Sequence, residues 1–307
     1  MEFHHVPVLL RECLEGLAID PAGTYLDGTA GGAGHSHEIA KRLTTGRLIA
    51  LDQDPDAVAT ATERLKGLPA LVVRANFREA PRVLRELEID SIQGALLDLG
   101  VSSHQLDDAA RGFSYHADAP LDMRMSQTGP TAADLVNSLD REELCRILRD
   151  YGEEPYAWQI AGKIVAARAE HPIETTMELA GLVASAVPPA ERRKSKNPAR
   201  RTFQAVRIAV NGELDALNEG LDGIFEALAP GGRLCVITFH SLEDRLVKNK
   251  FRRWAQKCTC PPELPVCVCG GKAKARLITR RPIEAEPGEL AENRRSRSAK
   301  LRVLEKL

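Results

Sequence analysis

The sequence predicts an α/β protein, an open Rossmann-like parallel sheet that carries an inserted all-helical subdomain. Three observations support this. Tyr25-Leu-Asp-Gly-Thr-Ala-Gly-Gly-Ala-Gly-His-Ser36, followed after a helix-length gap by Arg47-Leu-Ile-Ala-Leu-Asp52, reads as strand, glycine-rich turn, helix, strand, acid. Apolar runs recur at Ala70-Leu-Val-Val-Arg74, Gly94-Ala-Leu-Leu-Asp-Leu-Gly100 and Arg233-Leu-Cys-Val-Ile-Thr238. Far more residues separate Asp98 from Arg233 than a crossover helix needs, and so long an excursion inside a sheet reads as a subdomain rather than a loop.

Each element has its own signal. The glycines of the first turn let backbone approach a ligand, and an acid ending the second strand can accept hydrogen bonds from ribose hydroxyls. Asp56 to Lys66 has helical spacing, and 70–74 reads as a buried strand ending at Asn76-Phe77. Strand four ends in Asp98, and Ala229-Pro-Gly-Gly232 closes the helix before strand five. Within the insert, Thr131-Ala-Ala-Asp134 and Thr175-Thr-Met-Glu178 resemble capping boxes. Pro155 fits entry to a helix over 156–168, and Pro188-Pro189 fits an exit. The expected division is a discontinuous sheet domain, 1–104 and 202–307, around a substrate-recognition insert, 105–201. One long helix, Phe203 to Leu228, then leads into strand five.

The ligand class follows from what the loop lacks. Gly28, Gly31, Gly32 and Gly34 fit neither the dinucleotide register nor a phosphate loop. Asp27 at the loop entrance would repel phosphate. A cationic or zwitterionic nucleoside suits these residues, and S-adenosylmethionine is the common one. Ligands of open sheets sit outside the strand ends, so Phe77 and Asp98 are placed to flank and hydrogen-bond an adenine; core packing is the competing reading for Phe77.

At 307 residues with a formal net charge of −1, the chain can bury a large core and has no global field that announces nucleic acid. No run approaches the roughly 20 apolar residues of a membrane span, and the expectation is a soluble, cytoplasmic protein with no membrane partner. Two basic runs, Arg192 to Arg201 and Arg294 to Lys300, offer a phosphate-binding surface through Arg200, Arg201, Arg294, Arg295 and Arg297. The segment from Val101 through Arg111-Gly-Phe-Ser-Tyr115 to Pro120-Leu-Asp-Met-Arg-Met125 reads equally as a substrate wall or as a linker. Of seven cysteines, Cys13, Cys145 and Cys235 sit singly in apolar contexts; Cys258, Cys260, Cys267 and Cys269 form two Cys-x-Cys pairs. These four are a candidate structural zinc site, with free thiols in a tight loop and redox chemistry as the alternatives.

Together the motifs resemble the bacterial ribosomal RNA small subunit methyltransferase H family, which methylates N4 of a cytosine in 16S rRNA. The resemblance is carried by His5-Val-Pro-Val-Leu-Leu10, the loop Asp27 to Ser36, Leu97-Asp-Leu-Gly-Val-Ser-Ser103 with Gln105-Leu-Asp107, Arg111-Gly-Phe-Ser114, Leu121-Asp-Met-Arg-Met125, Tyr151-Gly-Glu-Glu154, Thr202-Phe-Gln-Ala205 with Arg207-Ile208, Phe239-His-Ser-Leu-Glu-Asp-Arg245 and Asn293 to Arg302. It implies a class I S-adenosylmethionine-dependent methyltransferase sheet, and a cofactor site at Ala33, Gly34, His35, Asp52, Phe77, Asp98 and Gln105. It also implies 16S rRNA as partner, in the assembled small subunit; a monomer and a homodimer both fit. The family usually has glycine at position 33, and His-Pro-Ala-Thr-Arg where this chain has Asn197-Pro-Ala-Arg-Arg201.

Phe113 or Tyr115 would hold an unstacked base, with Asp122 and Arg124 beside them. Ser102 after strand four, and His240, Glu243 and Asp244 after strand five, are candidates for meeting the base or taking a proton; helix capping competes for the last three. A silent RNA-binding or ribosome-assembly factor that keeps the pocket is the rival from another class. An oxidoreductase is disfavoured by the missing dinucleotide fingerprint.

Overall fold

In a computed structural model of the chain, the structure describes residues 7–194, 197–258, 260, 264–266, 268 and 271–307. It divides into two compact units, one of residues 1–100 and 214–307, the other of 101–213.

The first unit is built on strands β1 (Thr24–Asp27), β2 (Arg47–Asp52), β3 (Ala70–Arg74), β4 (Ile92–Asp98), β5 (Leu228–Thr238), β6 (Ala275–Leu277) and β7 (Lys300–Lys306), in the order β3-β2-β1-β4-β5-β7-β6. β1 to β5 run parallel, while β7 is antiparallel to β5 and to β6. Chain order reverses between β1 and β4, which makes their carboxyl ends the flanks of the crevice where open sheets take ligands. Alternation of side chains sorts the sheet residues onto two faces. Leu26, Ile49, Leu51, Leu97 and Val236 pack with helices α4 (Ala80–Glu86), α12 (Glu213–Ala227) and α13 (Ser241–Ala255). Tyr25, Leu48, Ala50, Leu96 and Cys235 pack with α1 (Leu10–Leu17), α2 (Gly34–Ala40) and α3 (Pro55–Arg64). Full burial of each such Leu or Ile is worth about 1.5–3 kcal/mol, so a polar residue tolerated at a strand end stands out against this background.

The second unit is helical: α5 (Ser103–Asp107), α6 (Ala132–Ser138), α7 (Arg141–Gly152), α8 (Ala157–Arg168), α9 (Thr176–Ala186), α10 (Pro189–Lys194) and α11 (Arg200–Asn211). Capping boxes open α6 (Thr131 with Asp134), α7 (Asp140 with Glu143) and α9 (Thr175 with Glu178). Its core joins Leu144, Ile147, Leu148, Ile160, Ile164, Val183 and Phe203. A Cβ on Gly152 would strike the Arg201 backbone, so glycine permits the close crossing of α7 and α11. The last member of the chain's helices, α14 (Pro287–Glu292), belongs to the first unit.

Three expectations are corrected. The strand 70–74 is a half-exposed edge rather than a buried one, with Leu71 45% exposed, because only β2 pairs with it. The single helix 203–228 is two: Gly212 takes φ 57°, a left-handed cap that satisfies the end of α11 and turns the chain. The helical unit accordingly spans 101–213 rather than 105–201. Pro188-Pro189 do follow the exit of α9, which ends at Ala186, and Pro189 also starts α10.

Candidate functional site

The glycine-rich loop after β1 is fixed from within the first unit. Asp27 accepts from Ser36 Oγ at 2.6 Å and from the Thr29 amide at 3.0 Å, so it ties the loop to the first turn of α2. Burial raises its pKa against the pull of these hydrogen bonds. Its fully buried carboxyl is spent on holding the loop, which adds a structural task to the phosphate repulsion expected of it. A Cβ on Gly28 would strike Leu97 and Phe77, and one on Gly34 would strike Pro7. A Cβ on Gly32 would meet nothing within 4 Å, so the loop turns backbone toward open space there.

Ala33 takes φ 58°, ψ 29° at the entry to α2 and is fully buried. That left-handed conformation explains why glycine suits the position: a β-carbon there costs on the order of 1 kcal/mol.

The acids at the strand ends differ in how much of their capacity is used. Asp52 accepts the Gly31 amide at 2.8 Å on one oxygen and the Asp54 amide at 2.9 Å on the other, and desolvation pushes its pKa up to about 6 despite both bonds. Each oxygen keeps a lone pair for a hydroxyl donor. Asp98 has no such donors on its side chain. Its amide donates to Thr29 Oγ1 at 2.6 Å, but Oδ1 is buried without a hydrogen-bond partner and Oδ2 lies 3.6 Å from His35 Nδ1. Desolvation, then the charges of Asp27 and Glu243, push its pKa up to about 8.

Phe77 opens the short turn after β3, and its ring lies where a Cβ on Gly220 of α12 would be. Asn76 caps that turn and donates to Gln53 at 2.9 Å. The structure therefore brings Ala33, Gly34, His35, Asp52, Phe77 and Asp98 around one loop.

The groups after β5 are more committed. Glu243 Oε2 accepts from the Phe239 and His240 amides at 2.8 and 3.2 Å, which makes it the cap of α13. His240 Nε2 sits 3.0 Å from Glu243 Oε1, off the line of a hydrogen bond. Both oxygens of Asp244 are engaged by Arg302 of β7, at 2.7 and 3.1 Å. This removes Asp244 from the expected proton acceptors: a carboxylate held in a fork by a buried guanidinium is a structural pair.

Other expected residues lie in the second unit. Ser102 and Gln105 form a reciprocal capping box on α5, with Gln105 buried. Phe113 is 6% exposed in the helical core rather than on a base-holding surface, because the surrounding apolar side chains recover its area. Tyr115 is half-buried, edge-on to Phe203 with centroids 5.3 Å apart. Asp122 and Arg124 pair through both carboxylate oxygens. Burial raises the Asp122 pKa, but the Arg124 hydrogen bonds outweigh it and leave the carboxyl below its ordinary value. Arg200 and Arg201 are exposed at the start of α11.

Back in the first unit, Arg294, Arg295 and Arg297 lie in the 3-10 turn Arg294–Ser298, with Arg295 half-buried and Arg297 exposed. Cys258 and Cys260 are half-buried, while Cys267 and Cys269, and with them the full zinc set, lie outside the described residues.

Sequence reasoning missed Thr29, Ser36 and Arg302. The first two had a signal, hydroxyls two and nine residues after Asp27 across a turn into a helix. Arg302 had none, since an arginine just beyond a basic run gives no hint that it faces inward.

Among the described residues no helix is long and apolar enough to cross a membrane. The model of the MraW methylase family matches residues 2–307. A "Ribosomal RNA small subunit methyltransferase H" of Symbiobacterium thermophilum is 55% identical over all of this chain and 98% of its own length. Proteins of the same name from Lachnospira eligens and Geobacter sulfurreducens are 55% and 54% identical, covering all of this chain and 99% and 100% of their own.

Proposed function

The chain belongs to the MraW methylase family, and we propose that it transfers a methyl group from S-adenosylmethionine to the exocyclic N4 amine of a cytosine in 16S rRNA, acting in the cytoplasm on the assembled small ribosomal subunit. The observation that carries the cofactor reading is the switch point itself. Asp52 with spare lone pairs, Asp98 with an orphaned buried oxygen, and an open backbone face at Gly32 fit a ligand rich in hydroxyl and amine donors. Names of the relatives support the rRNA of the small subunit as substrate. The cytosine N4 position rests on the resemblance of the motifs.

When bound, S-adenosylmethionine supplies an electrophilic methyl group on a sulfonium leaving group. The chain's own task is orientation. Asp52 accepts from the ribose hydroxyls, Asp98 accepts from a ligand N–H, and Phe77 packs beside the adenine. The cytosine amine is a poor nucleophile, its lone pair being delocalised into the ring, so in-line placement supplies most of the acceleration. Backbone carbonyls at Leu99 and Gly100 accept its N–H bonds; Gly100 reaches this conformation with φ 94°. His240 remains the titratable candidate beside it. The helical unit recognises RNA through Arg200 and Arg201, and the sheet unit adds Arg295 and Arg297, as phosphate contacts that position rather than specify.

The test is transfer of labelled methyl from S-adenosylmethionine to small subunits from cells lacking the protein, with nucleoside mass spectrometry of the product. The expected product is N4-methylated cytidine. Cofactor binding without transfer to subunits or free rRNA would favour the silent assembly factor.

A further inference from the structure

Residues 245–281 hold eleven Lys and Arg against one acid, Glu263, in a chain of formal net charge −1, so the remainder of the chain is net acidic. The stretch includes most of α13 and all of β6, both in the sheet unit. α13 turns Val247 and Phe251 into the core. Its exposed positions from 245 onward are Arg245, Lys248, Asn249, Arg252 and Arg253, with Gln256 just past its end. These exposed positions hold neither an acid nor an apolar side chain.

The chain returns to the end of the helix ahead of β6. The Lys274 amide donates to the Trp254 carbonyl at 2.9 Å, and Lys257, Lys272 and Lys274 are all exposed. Neighbouring acids are already committed: Glu243 caps α13, Asp244 is held by Arg302, Asp222 by Lys250, and Glu305 by Arg233 and Arg276. Among the described residues, Lys248, Arg252, Arg253, Lys257, Lys272 and Lys274 form no ion pair. Like charges gathered without counter-charges repel one another, and an anionic partner relieves that repulsion.

Two ordinary causes account for part of the pattern. Basic side chains on an edge strand discourage pairing with another chain, which suits Arg276 of β6 but not a helix. Cations near a helix C-terminus complement its dipole, which suits Arg252 and Arg253 but not Lys248 at mid-helix. α13 also starts directly after the carboxyl end of β5, on the rim of the ligand crevice, and its 15 residues run about 22 Å away from it.

We infer that the exposed face of α13, with Lys257, Lys272 and Lys274 beyond it, is a track for the RNA backbone that grips phosphates flanking the target nucleotide. The charge complements phosphate, and the absence of apolar side chains from the exposed helix positions disfavours a lipid surface, which needs apolar groups to insert. The inference rests on the reading of the chain as an rRNA methyltransferase and deepens it, since this face lies outside the basic runs 192–201 and 294–300.

The experiment is equilibrium binding of the full chain to small subunits from cells lacking the protein, over a series of salt concentrations. It compares the wild type with a triple variant, Lys248→Gln with Arg252→Gln and Arg253→Gln. A charge-matched control carries Arg47→Gln, Lys66→Gln and Arg85→Gln, all at exposed positions elsewhere in the sheet unit. Each phosphate contact contributes about 0.7–0.9 to the slope of log affinity against log salt. The triple variant should therefore lose about two from that slope and bind subunits at least about tenfold more weakly at about 0.1 M salt. Its KM for subunits should rise with kcat unchanged, and its affinity for S-adenosylhomocysteine should stay that of the wild type. The control should keep the wild-type slope.

An unchanged slope in the triple variant, or an equal loss in the control, overturns the proposal. So does binding to phosphatidylglycerol vesicles that the triple variant loses while keeping its affinity for subunits. A wild type that binds subunits through this face yet transfers no methyl group would instead overturn the reading of the function.

Discussion

The strand ends of the sheet unit and the entry segment of the helical unit both carry carboxylates, yet the structure uses those carboxylates in opposite ways. In the helical unit, Asp122 is clasped by Arg124, Arg111 donates to the carbonyls of Arg124 and Met125, and Ser102 and Gln105 cap each other. At the strand ends, Asp98 leaves a buried oxygen without a partner and Asp52 leaves lone pairs to spare. Burying an unsatisfied carboxyl costs free energy that folding does not return, so the unmet capacity marks where a ligand is expected. Saturated polar groups mark architecture.

The largest expected effect breaks the helical side of this contrast. Phe113→Ala should destabilise the helical core by about 3–5 kcal/mol through the cavity it leaves, read as a lowered unfolding midpoint, while S-adenosylhomocysteine affinity of the folded protein is retained. Lost affinity at unchanged stability would return Phe113 to the site. On the sheet side, Asp52→Ala should weaken cofactor binding by about 1–3 kcal/mol, measured by calorimetry; near-wild-type affinity would remove Asp52 from the pocket.

How far the sequence could be read follows the same line. The glycine loop, the parallel strands and the acids ending them were legible because each is a local pattern, apolar run against turn residue against carboxylate. The identity of Thr131 and Thr175 as capping residues was legible for the same reason. Phe113 and Asp244 were not, since their partners in the folded chain decide between site and scaffold, and those partners are Arg302 for Asp244 and a packed helical core for Phe113. The turn at Gly212 and the strand Lys300–Lys306 were missed as well. One residue with positive φ divides a continuous helical pattern, and charged ends disguise a strand whose centre is buried on both faces.

The third prediction concerns pH. Asp98 binds its proton more tightly in the folded chain than in the unfolded one, so its stabilising contribution is complete at low pH, below the unfolded value, and is lost as pH rises to about 8. Stability of the unliganded protein should therefore fall with rising pH across that window, by about 1 kcal/mol per unit, and Asp98→Asn should flatten the profile. A profile unchanged in the variant would contradict the desolvated state of Asp98. The smallest effect is expected at Ala33: Ala33→Gly relieves a left-handed β-carbon and should stabilise by about 0.5–1 kcal/mol, visible as a small rise in Tm. A fall would mean that the methyl group's packing outweighs its strain.

The most direct test of the contrast between the units is hydrogen exchange of the full chain with and without S-adenosylhomocysteine. The account predicts new protection at residues 27–36, 52–54, 76–79 and 98–100, the carboxyl ends of β1 to β4. Protection confined to residues 101–213, with the strand ends unchanged, would contradict it.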